Sequence, residues 1–368
     1  MLKDINLCQG SPAEFPVTEI PDIPVTDMSP VLNNSERKVP KRPGEKNPTV
    51  PVQSRIYFTR RNRAMPVVDQ QVFTSTSREQ VALDYYSLAF SRNQGVLSRL
   101  EQERLRNVCV GIPGMGSMGS HHLMTLARTG ICHFRIADFK DFDVVNMAAH
   151  CGAEGPVLGR NKAEVMAEKV TRINPDANLT VFNEPISDSN VDAFLKGIHI
   201  LIDGLDMFTP DTRRLLYHRA QRQGKYVILA APAGFGAALQ IFAPGGLSLD
   251  EFYGFRDEMS YEEKMLRFLV GLTPGGMHYR YMRKNSIDWT IRVMPTLSIA
   301  CRLASALAAT EAVNLLLRRK PVKAVPHYLH FDPYLRKLRK GYLWLGYRNP
   351  IQRLRYLYAR LVLFRDIV

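Results

Sequence analysis

Short apolar runs alternate with amphipathic segments through the middle of the chain. Residues 108–112 form an apolar run that opens into a glycine-rich turn. Residues 120–127 carry helical spacing and stop at Gly130. Further apolar runs at 134–137, 179–182, 198–202, 226–230 and 238–242 predict strands. Helical spacing at 162–173, 190–195 and 210–223 predicts the helices between them, two of which end at Asn174-Pro175 and Gly224. Strand and helix in strict alternation predict an α/β fold. The expected form is a Rossmann-like, doubly wound, mainly parallel sheet with helices on both faces.

The flanks read differently. Residues 1–75 hold nine of the 23 prolines before Val52, with Ser, Asn and Lys between them, and are expected to be a disordered, Pro-rich segment. Helices are expected at 77–90 and 97–105. Beyond Pro244, residues 247–293 read as an irregular insertion broken by Pro274-Gly275-Gly276, and 299–317 as an apolar helix rich in Ala and Leu. These boundaries give a disordered segment at 1–75, a nucleotide-binding domain at 76–317 and a basic C-terminal tail at 318–368. The tail carries thirteen Lys or Arg against Asp332 and Asp366, which accounts for most of the net +14 of the chain. Arg353, Arg355, Arg360 and Arg365 segregate from apolar residues near its end. No RNA-binding motif accompanies the tail, so nucleic acid is not expected as a partner. A solvated surface is the first reading, and a site for an acidic peptide the second.

The five cysteines, Cys8, Cys109, Cys132, Cys151 and Cys301, form no Cys-x-x-Cys pair. An odd, scattered set argues against a disulfide framework and a structural zinc site. With no apolar leader at the N-terminus, the expected location is the cytoplasm. No membrane span is expected, because the most apolar run, 227–244, is broken by Pro232, Gly234 and Gly236.

The chemistry is expected around Gly114-x-Gly116-x-x-Gly119, which follows a strand and opens a helix. Glycine lets backbone approach a phosphate closely, and a helix N-terminus presents free N–H groups to an anion. Asp138 closes the next strand, where a ribose hydroxyl would be held. This much fits a nicotinamide cofactor and ATP equally. Four residues tilt the balance toward ATP: Asn146, Lys162 at the start of a helix, Asp206 after the strand at 198–202, and Arg92 ahead of the domain. Basic groups neutralise polyphosphate, and a carboxylate can hold Mg²⁺. Against these stand plainer readings: Lys162 as an exposed helix lysine, Asp206 as a helix N-terminal acid, and Cys151, His121 and His122 as packing or capping residues.

From about Phe90 to Pro244, and more weakly through 299–317, the sequence resembles the ThiF/MoeB-type adenylyltransferases, the core also found in ubiquitin-activating enzymes. The resemblance lies in Gly111-Ile-Pro-Gly114-Met-Gly116-Ser, in Asp138, Asn146 and Asp206, and most specifically in the run Lys162-Ala-Glu-Val-x-Ala-Glu-x-x-x-x-Ile-Asn-Pro. It implies that Gly111, Gly114, Gly116, Asp138, Asn146 and Lys162 bind ATP. Lys162 would meet the triphosphate, Asp206 would hold Mg²⁺, and Arg92 would reach the phosphates of a neighbouring subunit in a homodimer. The implied reaction is adenylation of a carboxylate on a peptide, or on a ubiquitin-like or sulfur-carrier protein, with release of pyrophosphate.

The departures from the family pattern are local. Ala149 stands where the family has a phosphate-binding arginine, in Asn146-Met-Ala-Ala149-His150. Pro113 replaces a glycine, and Lys140 an acid. By analogy with removing one transition-state donor, the missing arginine costs on the order of a hundredfold in rate. Arg160 and His150 are the candidates to replace it. A catalytically degenerate nucleotide-binding scaffold and an NAD-dependent oxidoreductase are the alternative functions.

Overall fold

A computed structural model describes residues 85–282 and 294–363. The segment 1–75 and most of the helix expected at 77–90 lie outside the described residues. Eight strands form one sheet in the order β3-β2-β1-β4-β5-β6-β7-β8. They are β1 (Cys109–Pro113), β2 (His133–Ala137), β3 (Asn178–Phe182), β4 (Ile200–Ile202), β5 (Tyr226–Ala233), β6 (Gly236–Phe242), β7 (His327–Asp332) and β8 (Lys337–Tyr342). The pairs from β3 through β5 are parallel; β6, β7 and β8 add on antiparallel.

Alternation along the strands divides the core in two. Val110, Ile112, Ile200, Ile202, Ile228 and Ala230 pack with α3 (Ser117–Thr129), α4 (Lys162–Ile173) and α9 (Ser298–Leu317). Leu201, Val227, Leu229, Ala238 and Phe242 face the other way, onto α5 (Val191–Leu195), α6 (Pro210–Arg222), α7 (Leu249–Tyr253) and α8 (Tyr261–Leu272). Successive residues of one strand thus feed opposite faces, as the period of two requires, and the doubly wound expectation holds. The chain leaves β1 for β2 on one face and enters β4 from β3 on the other. The carboxyl ends of β1 and β4 therefore flank the crevice where ligands bind in such sheets.

Before β1, α1 (Tyr85–Ala89) and α2 (Arg99–Arg106) close the edge of the α3 layer. Ser98 and Glu101 form a reciprocal capping box at the start of α2. Helix α9 is the one described helix long and apolar enough to cross a membrane, with mean hydropathy 1.3. Here its small residues Ala300, Cys301, Ala304, Ser305, Ala308 and Ala312 are buried against the sheet and α3.

Two expectations need correction. The insertion read as irregular contains α7 and α8, each opened by a serine cap, Ser248 and Ser260. In α8 every residue from Lys264 to Leu272 is buried. The residues from 318 on are not a separate tail. They supply β7 and β8 of the main sheet and then α10 (Pro350–Tyr358). The outer face of β8 is exposed and basic, so a strand there reads as a charged surface stretch.

Candidate functional site

Three glycine backbones interlock at the crevice. Gly114, with φ 84°, turns the chain out of β1, and its N–H donates to the Ala137 carbonyl at 2.6 Å. A Cβ on Gly114 would run into the Gly204 carbonyl, and one on Gly119 into the Gly114 carbonyl. A Cβ on Gly204 would lie 2.7 Å from Gly119 Cα and 2.8 Å from Pro113 O. Gly111 is also a packing glycine, since a Cβ there would come 2.8 Å from Ile198 Cδ1. Its buried place inside β1 turns it toward the core rather than toward a ligand.

Gly116 is different. Its φ of −73° and ψ of −154° need no left-handed freedom. An added Cβ would meet nothing nearer than His150 Cε1 at 3.8 Å. Neither conformation nor crowding explains this glycine. It leaves open space at the N-terminus of α3, where the first N–H groups of a helix have no intrahelical partner and favour an anion.

Asp138, at the end of β2, ties this loop in place. Its carboxylate accepts from the Met115 N–H at 2.7 Å through one oxygen and from the Lys140 N–H at 2.9 Å through the other. A carboxylate has about four lone-pair sites, so two remain for hydroxyl donors. Asn161 then couples β2 to α4. Its amide donates to the Asp138 carbonyl at 3.1 Å, while its oxygen caps the Ala163 and Glu164 N–H groups. The cap fixes where α4 begins, and so where Lys162 stands.

Lys162 is buried, and among the described residues no carboxylate lies within ion-pair distance of it. Its ammonium sits 5.9 Å from the centre of the Phe142 ring. Burial pulls its pKa below the ordinary lysine value, against the opposing pull of Asp138 and Asp206. The exposed-lysine reading is thereby excluded. Partial desolvation of a lysine without a carboxylate partner carries a cost, and an entering anion offsets it.

Asp206 is exposed on the loop after β4, and its Oδ1 accepts from the Phe208 N–H at 3.0 Å. It is not the cap of α6, which begins at Pro210 with Thr209 in the cap position. The loop owes its shape to Arg213, a residue the sequence reading missed. This fully buried guanidinium donates to Asp203 Oδ2 at 2.6 Å and to the carbonyls of Leu205 and Asp206, both at 3.1 Å. The Tyr217 hydroxyl donates to the same Asp203 oxygen at 2.7 Å. The available signal was an arginine one turn before Leu216 and Tyr217, on the apolar face of a helix.

The segment 144–151 folds back over the start of α3. Asn146 accepts the Asp143 N–H at 3.0 Å in a local cap, leaving its amide group for other partners. Ser120 donates to the Gly116 carbonyl at 2.7 Å and accepts the Cys151 N–H at 3.1 Å. His121 Nε2 lies 3.1 Å from the Ala149 carbonyl. Burial holds the Cys151 thiol above its ordinary pKa, which keeps it protonated and poorly nucleophilic.

Of the two candidates to replace the missing arginine, His150 stands beside Gly116. Burial first, and then the Lys162 charge, pushes its pKa down to about 4. Its buried Nδ1 has no protein partner. Arg160 instead pairs with Glu168 along the outer face of α4.

Arg92 is the one predicted site residue set apart. It is exposed on a short 3-10 turn, Ser91–Asn93. Asn93 anchors that turn to the Thr129 carbonyl at 3.1 Å, at the far end of α3. At 1.5 Å rise per residue, α3 separates Arg92 from the glycine loop by roughly 20 Å. Among the described residues no group of three or more His, Cys, Asp or Glu is arranged to hold a metal. A magnesium ion that arrives with a nucleotide needs only one or two carboxylates besides the phosphates, and the exposed Asp206 fits that donor set.

Comparison with known proteins finds relatives in sequence and in fold. The profile of the ThiF family matches residues 90–342. The tRNA threonylcarbamoyladenosine dehydratase of Escherichia coli is 33% identical over 117 residues, covering 32% of this chain and 43% of that protein. MoeZ of Mycobacterium tuberculosis, named as a probable adenylyltransferase/sulfurtransferase, is 28% identical over 152 residues, 40% of this chain and 38% of that protein. The chain thus spans less than half the length of these curated relatives. Among solved structures, E. coli MccB in a form with ATP has the same fold, with 16% identity, a TM-score of 0.51 and 69% of each chain covered. Neither the oxidoreductase nor the scaffold reading is favoured by these likenesses.

Proposed function

Because the chain belongs to the ThiF family, we propose that it adenylates a carboxylate on a peptide or on a ubiquitin-like or sulfur-carrier protein, using MgATP. The observation that carries this reading is the buried side chain of Lys162, without a carboxylate partner among the described residues, acting on the same His150 that faces the open side of Gly116. That pairing is poorly explained by folding alone and well explained by a polyphosphate.

In the proposed reaction the acceptor carboxylate attacks the α-phosphorus of ATP. The α–β bridging bond breaks, pyrophosphate leaves with the electron pair, and an acyl-adenylate forms. The protein contributes position and charge. Gly116 and the α3 N-terminus cradle phosphate oxygens, and Lys162 neutralises the triphosphate. Asp138 uses its remaining lone pairs for the ribose hydroxyls. Asn146 offers its amide, and His150 offers an N–H in place of the arginine. Asp206 holds Mg²⁺, which supplies further charge neutralisation when bound. The distance from Arg92 to the glycine loop of its own chain supports a role across a homodimer, on the partner's nucleotide. A cytoplasmic setting suits an ATP-consuming enzyme with free cysteines.

ATP–pyrophosphate exchange, run with peptides bearing free C-terminal carboxylates and with small ubiquitin-like proteins, tests the reading. Exchange that depends on the acceptor and is lost in Lys162→Ala is the expected result. Absence of exchange with every acceptor, together with equal ATP binding by wild type and Lys162→Ala, overturns it.

A further inference from the structure

A second charged feature lies at the antiparallel end of the sheet. Arg280, Arg336, Lys337 and Arg339 line a cavity of about 360 Å³ together with Gly275, Met277 and Leu338. All four cations are exposed, and none has a carboxylate partner among the described residues. Arg339 donates to the Gly275 carbonyl at 3.2 Å, which fixes its direction. The nearest acid in sequence, Asp332, is buried and already accepts from the Tyr281 hydroxyl at 2.7 Å and the Leu335 N–H at 3.0 Å. Arg213, Arg214, Arg219, Arg267 and Arg319, by contrast, each meet a carboxylate. Gathering like charges around one cavity raises the local positive potential and favours an anion there.

The backbone adds an independent sign. Arg336 closes the β7–β8 turn with φ 50°. Glycine adopts that conformation without strain, whereas an L side chain there costs roughly 1–2 kcal/mol. The turn retains an arginine where a cheaper residue would serve folding better, and sparsely populated conformations of this kind cluster at functional sites.

Strand register places the cavity relative to the nucleotide crevice. Val110 of β1 pairs with Ile200, and Ile200 with Tyr226, so Leu229 of β5 is level with Pro113. From there β5 runs on to Ala233, which pairs with Gly236. Phe331 pairs with both Ala237 and Leu338, which sets Lys337 at the same height as Gly236. The cavity thus stands on the same edge of the sheet as the glycine loop, on a wing that projects past it. Five strand spacings of about 4.8 Å separate β1 from β8, roughly 24 Å across, and the four-residue overhang along the strands lengthens the direct span to roughly 27 Å. An extended chain covers that distance in about seven or eight residues.

Resting on the adenylation reading, we infer that this cavity holds acidic side chains of the acceptor peptide about seven or eight residues before the carboxylate that is activated. Convergence of four cations on one concave site suits one or two compact carboxylates. A nucleic-acid backbone would be tracked by a strip of charge instead.

The test uses fluorescein-labelled Gly/Ser peptides of about twelve residues, with a Glu pair placed about seven or eight residues from the free C-terminus, or about three, or replaced by Gln. Fluorescence anisotropy with the full chain reads binding without ATP. The distal Glu pair is expected to bind at least about tenfold tighter than the Gln control, the scale of one charge-assisted hydrogen bond. Arg336→Gly is expected to lose that advantage while melting no lower than wild type, because glycine relieves the turn; Arg280→Glu is expected to lose it as well. Equal binding of the three peptides, or an advantage untouched in Arg336→Gly and Arg280→Glu, overturns the inference. So does an RNA stem-loop that displaces the peptide and binds tighter, which would assign the cavity to nucleic acid. ATP–pyrophosphate exchange on the same samples separates the two claims. Exchange that ignores the position of the Glu pair removes the cavity's role and leaves adenylation standing. Arginine-dependent peptide binding without any exchange does the reverse.

Discussion

The Met115 N–H donates to Asp138 at 2.7 Å, so one carboxylate joins the tip of β2 to the loop that follows β1. The same carboxylate receives the Lys140 N–H. Asp138→Ala strips both acceptors and leaves two N–H groups to find water, at about 1–3 kcal/mol for each one that stays buried. Asp138→Asn keeps one carbonyl oxygen. We expect Asp138→Ala to lower both Tm and ATP affinity, the latter by about tenfold or more, and Asp138→Asn to lower mainly affinity. Calorimetric titration beside a thermal melt reads both. Equal nucleotide affinity in all three proteins would show that Asp138 is only a brace.

Lys162 should trade stability for activity. Replacing it with Met removes a partly desolvated charge and keeps the aliphatic volume. Lys162→Met is expected to melt at or above wild type while exchange falls on the order of a hundredfold or more. A lower Tm with exchange intact would make the lysine structural.

The Asp203–Arg213 pair is fully buried, with side-chain exposures of 1% and 2%. Breaking such a pair from one side costs about 3–5 kcal/mol, because the remaining charge is stranded. Arg213→Ala should therefore be strongly destabilised in urea. Arg213→Lys should fold better yet leave the Asp206 loop poorly held, since an ammonium cannot span Asp203 and two carbonyls as the fork does. A raised magnesium requirement in Arg213→Lys, read in the exchange assay, is the expected sign. An unchanged magnesium dependence would remove the positioning role.

For His150 the expected phenotype is selective. His150→Ala should raise KM for ATP by about tenfold, the worth of one hydrogen bond to a charged group, with Tm held or raised. Unchanged KM would leave the missing arginine without a replacement at this position.

Acid should unfold the protein through its buried histidines. Burial pushes His122, His278 and His330 each to about 4, and the coulombic pull of Asp203 or Asp332 only partly opposes it. Their ordinary value is 6.5, so between pH 6.5 and 4 the unfolded chain binds more protons than the folded one. Stability is then level above about pH 7 and declines as pH falls through that window, by up to about 1.4 kcal/mol per pH unit for each histidine. Urea denaturation at stepped pH should show the slope. His330→Gln should make it shallower, and a slope unaffected by that change would assign the acid lability to other groups.

The nucleotide half of the fold was legible because each of its elements repeats one local rule. Short apolar runs end in glycine or Asp, and the helices between them show a single apolar face and stop at glycine or Asn-Pro. The bounds of α4 were readable to the residue, since Asn161 caps one end and Asn174-Pro175 stops the other. Of the antiparallel wing, β6 was legible as a strand at 238–242, but β7 and β8 were not. Outer β8 is exposed and basic, so nothing in its period separates it from a charged tail. The site divides the same way. Gly114, Gly116, Asp138 and Lys162 carry local signatures, whereas Arg213 and Asn161 matter through contacts that no spacing announces. Gly111 carried a family signature, yet its surroundings explain it by packing against Ile198.

Pairing of β7 with β6 limits how the chain can be shortened. All seven residues of β6 are buried. A protein cut after Leu317 would lose β7 and β8 and leave β6 as the rim of the sheet, an apolar strand with a free row of N–H and C=O groups. Such rims recruit strands from other molecules, and the product would be aggregate rather than a smaller enzyme. The basic hairpin thus also serves as a solubilising hem, its lysines and arginines keeping the last exposed strand from pairing with a second copy.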